Sequence, residues 1–254
     1  MKSRIILLLL ICCPLYFYGW GAEGHKVVAE IAQKKISKKV KKKVQKYLGT
    51  TSFQDAAVWM DVMRSDHSYD YMKPWHYLNI EKGDSYSKAS TGDILSELDL
   101  VIAELKNYKT MKTEDVNKDL KILFHLCGDF TMPLHVGYGS DKGGNDVKIA
   151  YKNKTINLHH VWDSDIIDSA KITTNVCLME IKKFTPAQIK STKTIDLMQW
   201  MNDSRVLLDK VYSINDKTLT QEYINQNKEI VEQQLAIGGL RLATILNEIF
   251  GTKK

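Results

Sequence analysis

The chain has 254 residues, of which 44% are apolar and 26% charged, with fourteen glycines and four prolines. Enough apolar side chains are present to bury a core, which excludes collagen-like, low-complexity and disordered classes. The net charge of +6 suits an anionic partner, but alone it does not separate nucleic acid from solubility.

Residues 1–19 read MKSRIILLLLICCPLYFYG. Lys2 and Arg4 lead an apolar run from Ile5 to Tyr18, which is the pattern of a secretory signal and is short of the ~20 residues of a membrane span. Cleavage is expected after Gly19, with Trp20 as the new N-terminus, although Phe17 stands where a small residue is usual. A lipoprotein signal at Cys12 or Cys13 is disfavoured, because no small residue precedes either. The expected mature chain, residues 20–254, is secreted or periplasmic and has no stable membrane span. It holds 235 residues with 34 basic and 30 acidic side chains, a balance of +4. Cys127 and Cys177 are its only cysteines; a bridge between them is compatible with secretion and not required by it.

No repeat or linker interrupts the mature chain, which reads as one mostly α-helical domain with one small β-hairpin. Val27, Val28, Ile31, Ala32, Ile36, Val40, Val44 and Leu48 form one helical stripe ending at Gly49. Its other face carries eight lysines between Lys34 and Lys46, read as a solvated face in preference to a nucleic-acid patch. Ser52-x-x-Asp55 predicts a helix start, and Thr185-Pro186 with Gln188 predicts another. Further helices are predicted over 93–109, 116–132, 159–168, 196–214 and 219–248, and Pro133 is expected to end or kink its neighbour. Alternation from Asp146 to Leu158 around Asn153-Lys154 predicts the hairpin.

The histidines carry the chemistry. His25 follows Trp20 by five residues, and Asp61 and His76 lie in VWMDVMR and PWHYLNI. His125, Asp129 and His135 share the apolar run FHLCGDFTMPLH, and His159 and Asp163 share LHHVWD. The i, i+4 spacing puts each His–Asp pair on one helix face. A lone histidine in an apolar helix is ordinarily a hydrogen-bonded core residue. An unpartnered buried aspartate is costly, however, and the pattern recurs, so a metal is the economical explanation, and imidazole with carboxylate suits zinc. His67 reads as surface, and His160 as packing beside the site. Trp59, Trp75 and Trp162 read as core. Cys127, at i+2 from His125, points away from the ligand face and reads as structural. Asn153-Lys154-Thr155 and Asn202-Asp203-Ser204 are glycosylation sequons.

WGAEGH, VWMDVMR, PWHYLNI, HLCGDFTMPLH, GGND and NLHHVWD, in this order and with GGLRLATILN near the C-terminus, resemble the S1/P1 nuclease family of secreted zinc enzymes. The resemblance implies a single-domain helical phospholipase C/P1 nuclease-like fold and three Zn2+ ions. The first would take Asp61, His76, His125 and Asp129. The second would take His135, His159 and Asp163. The third would take His25, Asp129 and the α-amino group and carbonyl oxygen of Trp20, an amine that exists only after signal cleavage. By the same resemblance Asp61, Arg64 and Asp129 are catalytic, with Arg64 neutralising phosphoryl oxygens or pairing with a ligand carboxylate. Tyr77 would stack a base, Asn145 would help hold it, and Gly143 and Gly144 would let backbone approach it or form a plain turn. Asn79 departs from a family aspartate that reads the base, and the usual fungal and plant disulfides are missing.

The expected activity is hydrolysis of single-stranded DNA and RNA to 5′-nucleotides by a monomer, with 3′-nucleotides as further substrates. A zinc-dependent phospholipase C is the alternative, against which stand GGND, the short Trp20–His25 spacing and Asp163. A non-enzymatic binding module would have to treat the matched spacings as chance.

Overall fold

A computed structural model describes residues 20–251; the expected signal, 1–19, lies outside the described residues. The stripe that predicted one helix is carried by two, α1 (Ala22–Lys35) and α2 (Lys38–Leu48). The chain turns extended at Ile36 and Ser37, and the Ser37 hydroxyl accepts the Val40 N–H at 3.2 Å, so a side-chain cap replaces helix continuation. The stripe itself is buried as expected.

At the predicted start of α3 (Phe53–Met63), the Ser52 hydroxyl accepts the Asp55 N–H at 2.9 Å. A 3-10 helix that periodicity did not announce follows, His67–His76, and then α4 (Ile94–Leu105) and α5 (Thr113–Asp129). α5 ends four residues before Pro133, which instead opens a 3-10 turn, Pro133–Val136. Strands β1 (Lys148–Tyr151) and β2 (Lys154–Asn157) pair with Tyr151 opposite Lys154. The turn is therefore Lys152-Asn153, one residue earlier than expected, and Lys152 takes the left-handed φ of 52°.

α6 (Leu158–His160) runs through a π turn, Val161–Asp165, into α7 (Ile166–Ala170). α8 (Thr174–Ile181) had no sequence signal, whereas α9 (Pro186–Thr192) starts at the predicted Thr185–Gln188 capping box. The predicted 196–214 helix breaks into α10 (Leu197–Arg205) and α11 (Leu208–Val211), and α12 (Gln221–Phe250) closes the fold.

α12 packs along α1, and α1, α3 and α5 pack on one another. The α1–α12 approach is close enough that a Cβ at Gly239 would lie 2.5 Å from the Cβ of Ile31, which explains the glycines of GGLRLATILN. Trp162 is fully buried, but Trp59 and Trp75 are only half-buried, which corrects their reading as core. Cys127 and Cys177 are both free and buried, and burial pushes each thiol up to about 12. Among the described residues no helix is long and apolar enough to cross a membrane.

Candidate metal centre

Six segments deliver the expected ligands to one place. The first turn of α1 brings His25, α3 brings Asp61, and the 3-10 helix ends on His76. The last turn of α5 brings His125 and Asp129, the Pro133 turn brings His135, and α6 with its π turn brings His159 and Asp163. All are buried except Asp61, whose side chain is nearly so. Potential donor atoms gather into three groups: His25, His125 and Asp129; Asp61, His76 and His125; and His135, His159 and Asp163. Only the last has the same members as an expected set; Asp129 groups with His25 rather than with Asp61 and His76, and His125 stands in two of the groups.

Asp129 is the hub. Its Oδ1 lies 3.1 Å from His25 Nε2, and its Oδ2 lies 3.0 Å from His76 Nδ1 and 3.1 Å from His125 Nε2. His135 Nδ1 stands 3.7 Å away, and Asp61 Oδ1 is 3.9 Å from His125 Nε2. In the remaining group, His159 Nε2 lies 3.2 Å from both His135 Nε2 and Asp163 Oδ2.

These separations suit a shared cation. Donor atoms ~2.0 Å from a tetrahedral zinc are about 3.3 Å from one another. Facing ring nitrogens of His76 and His125, 2.9 Å apart, share at most one proton. Both ring nitrogens of His25, both Asp61 oxygens, Asp129 Oδ1 and Asp163 Oδ1 are buried without hydrogen-bond partners, a costly state that bound metal would relieve.

The field inside the pocket is set by burial and by these neighbours. Burial pushes His76 and His135 down to about 3, and also lowers His25, leaving neutral imidazoles fit to donate lone pairs. Burial lowers His125 and His159 too, but Asp129 and Asp61 outweigh it at His125, and Asp163 does so at His159. Asp129 is held well below the usual carboxylate range: burial alone would raise it, and His125, His135 and His25 reverse that. Asp163 is pushed up to about 7, chiefly by burial.

Sequence reasoning missed the layer that aims the rings. The His125 Nδ1 faces the Ala57 carbonyl at 2.7 Å, His135 Nδ1 faces the His76 carbonyl at 2.5 Å, and His159 Nδ1 faces the Gly143 carbonyl at 2.7 Å. For His125 and His159 a donating Nδ1–H leaves Nε2 to accept a ligand. Gly128 makes room for His25: a Cβ there would lie 2.6 Å from its Nδ1, and the ring instead stacks on His125 at 4.0 Å. Trp20 is fully buried, its indole N–H donating to the Thr131 hydroxyl at 3.4 Å, and the Gly21 N–H donates to the Asp163 carbonyl at 2.8 Å.

Arg64 caps α3, with Nε 3.2 Å from Asp61 Oδ1, so the ion-pair alternative is the contact present. Leu78 and Ile80 are buried and their N–H groups donate to the His135 and Gly137 carbonyls at 2.9 and 3.0 Å. Alternation along this pair turns Tyr77 and Asn79 outward, both exposed. Arg205, from a stretch without any recognised motif, ties the two segments together through the Val136, Gly137 and Ile80 carbonyls. Asn145 donates to the Lys142 carbonyl at 2.8 Å and keeps a buried Oδ1 without a partner. Gly143 and Gly144, at φ 61° and 78°, press on Leu134 and present the carbonyl that orients His159, so the plain-turn alternative holds with a structural purpose.

Carboxylates and imidazoles converging from helix ends, with the imidazole of His125 common to two groups, form a donor set suited to a metal-dependent hydrolase in a helical frame. The family model for S1/P1 Nuclease matches residues 20–251, and the chain belongs to that family. It is 30% identical to Endonuclease 2 of Arabidopsis thaliana, with 98% of each chain covered. It is 29% identical to Nuclease S1 of Aspergillus oryzae over 91% of this chain and 92% of that one. Nuclease P1 of Penicillium citrinum is 26% identical over 92% and 99%. The chain is thus a nuclease, a hydrolase of phosphodiester bonds.

Proposed function

We propose that this chain is a secreted or periplasmic trizinc endonuclease, monomeric, which hydrolyses single-stranded DNA and RNA to 5′-nucleotides and removes phosphate from 3′-nucleotides. The observation that carries this is Asp129, one buried carboxylate within 3.1 Å of His25, His76 and His125, which two cations would share. Asp61, His76, His125 and Asp129 hold the first ion. His135, His159 and Asp163 hold the second. His25, Asp129 and the Trp20 amino and carbonyl groups hold the third. The signal pattern of residues 1–19 supports export and liberation of that amine.

When bound, zinc supplies Lewis acidity at phosphoryl oxygens and brings the pKa of water near 7. The chain supplies position and charge. Asp129 stays ionised among its imidazoles, and the Ala57 and Gly143 carbonyls fix the tautomers of His125 and His159. Arg64, held by Asp61, presents its remaining guanidinium N–H groups to the phosphoryl oxygens. Tyr77 stacks the exposed base of a single strand, and Asn145 Oδ1 accepts a base N–H. Asn79, two residues after Tyr77, lacks the charge of the family aspartate, which weakens any adenine preference.

The test is a protein beginning at Trp20, its zinc content measured per chain, assayed on single-stranded DNA, duplex DNA and phosphatidylcholine with and without chelator. About three zinc ions and chelator-sensitive release of 5′-nucleotides from single strands are expected. Lipid hydrolysis alone, or a metal-free active chain, would overturn the reading. One extra residue before Trp20 is expected to lower zinc content by one ion; full occupancy would remove Trp20 from the ligand set.

A further inference from the structure

We propose that the outer face of the 3-10 helix His67–His76, with the adjoining face of α5, is an extended track for single-stranded nucleic acid outside the catalytic pocket. Bases stack on its aromatic rings and phosphates follow its lysines. The inference rests on the nuclease reading above and adds a binding surface to it.

Four aromatic rings stand in a row. Trp59 meets Tyr69 edge-on at 5.5 Å, Tyr69 lies 6.4 Å from Tyr71 with planes 28° apart, and Tyr71 meets Trp75 edge-on at 5.2 Å. The side chain of Tyr71 is 46% exposed, and the other three rings are half-buried. Each ring is therefore seated in the protein and still open to solvent. The row is also braced: the Trp75 indole N–H donates to the Thr91 carbonyl at 3.3 Å, and Lys118 Nζ donates to the Tyr71 hydroxyl at 2.9 Å. Braced rings lose little freedom when they bind, which favours their use as a platform.

The cations follow the same line. Lys118 Nζ lies 5.4 Å from the Tyr71 ring centre, and Lys121 Nζ lies 5.2 Å from that of Trp59. Neither lysine is in an ion pair among the described residues, and burial alone lowers Lys121. Lys73, on the same 3-10 helix, differs: Asp70 neutralises it at 2.7 Å. Lys118 and Lys121 precede His125 by seven and four residues on α5, so the three share one face. Lys118 stands about 10 Å along the helix axis from His125.

The aromatic row ends on Trp75, the residue before His76, and the lysine line ends on His125. Both lead to the same ligand group. A strand whose scissile phosphate sits at Arg64 and Asp129 would continue over these rings. Stacking of this kind accepts any base and requires a single strand, since duplex bases are covered.

The experiment compares kcat/KM of the zinc-loaded enzyme on a thymidine dinucleotide and a thymidine decamer. The wild type is expected to favour the decamer. Stacking on one ring is worth about 1–3 kcal/mol, which is about 5- to 150-fold. Tyr71→Ala is expected to lower the decamer-to-dinucleotide ratio about tenfold, whereas Tyr71→Phe, which keeps the ring, retains it. Lys121→Gln is expected to lessen the dependence of log KM for the decamer on log salt by about 0.7. Zinc content and circular dichroism check that each variant is folded. An unchanged ratio in Tyr71→Ala together with an unchanged salt slope in Lys121→Gln would overturn the track while leaving the nuclease reading intact. A wild type that cleaves neither oligomer would overturn both.

Discussion

Asp119 and Asp129 lie ten residues apart on α5, both buried, and burial has opposite outcomes at the two ends of that helix. Asp119 is pushed up to about 6, chiefly by burial with help from Glu104, and its Oδ2 has no partner. Asp129 is buried more completely, yet the imidazoles of His125, His135 and His25 hold it well below the usual range. A buried carboxylate keeps its charge where several nitrogens converge on it, and that retained charge is what a divalent cation requires. The depth of a carboxylate in the fold therefore says little about its purpose; the neighbours that meet it decide.

The largest effect is expected where the contrast is removed outright. Asp129→Asn takes the charge from the hub, and zinc content is expected to fall by at least one ion. Cleavage of single-stranded DNA is expected to drop on the order of a thousandfold, matching several kcal/mol of lost stabilisation. Metal analysis and an oligonucleotide assay check this together, and full zinc content would break the assignment. A smaller effect is expected from Gly128→Ala. The added methyl would lie 2.6 Å from His25 Nδ1 and must displace that ring. Activity is expected to fall about 10- to 100-fold, as when a ligand loses its support, with the far-ultraviolet circular dichroism unchanged.

The smallest effect sharpens the comparison from the other end of α5. The folded-state value of about 6 at Asp119 lies above the ordinary 3.8, so folding disfavours its charged form. That contribution to stability is greatest below about pH 4 and is lost as pH rises towards 6. Asp119→Asn is expected to stabilise the zinc-loaded protein by about 1 kcal/mol at pH 7, after discounting for solvent screening, and to give no gain at pH 4. Urea denaturation at the two pH values measures the difference, and zinc content should not change.

The gathering of these histidines and aspartates was legible in the sequence because imidazoles and carboxylates inside apolar runs are anomalous, and their spacing specifies which of them share a helix face. The elements that aim those ligands were not legible. Ala57, His76 and Gly143 act through backbone carbonyls, which every residue possesses, so side-chain identity carries no sign of it. Arg205 does its work from a stretch without a motif, through carbonyls 68 to 125 residues away in sequence. The break at Ser37 was hidden because the apolar period runs through it unbroken, and only the serine cap marks the new helix. Trp59 and Trp75 were read as core because tryptophan ordinarily is; their half-exposure depends on which neighbours the fold supplies.

The close seating of α12 on α1 also orders events in time. His25 lies in the first turn of α1, whereas Gly239, which lets the covering helix approach, belongs to the thirty residues of α12. Synthesis proceeds from the N-terminus, so α1 emerges long before the helix that covers it. A chain interrupted before residue 221 would carry every proposed ligand side chain and still lack the surface that holds α1 in place.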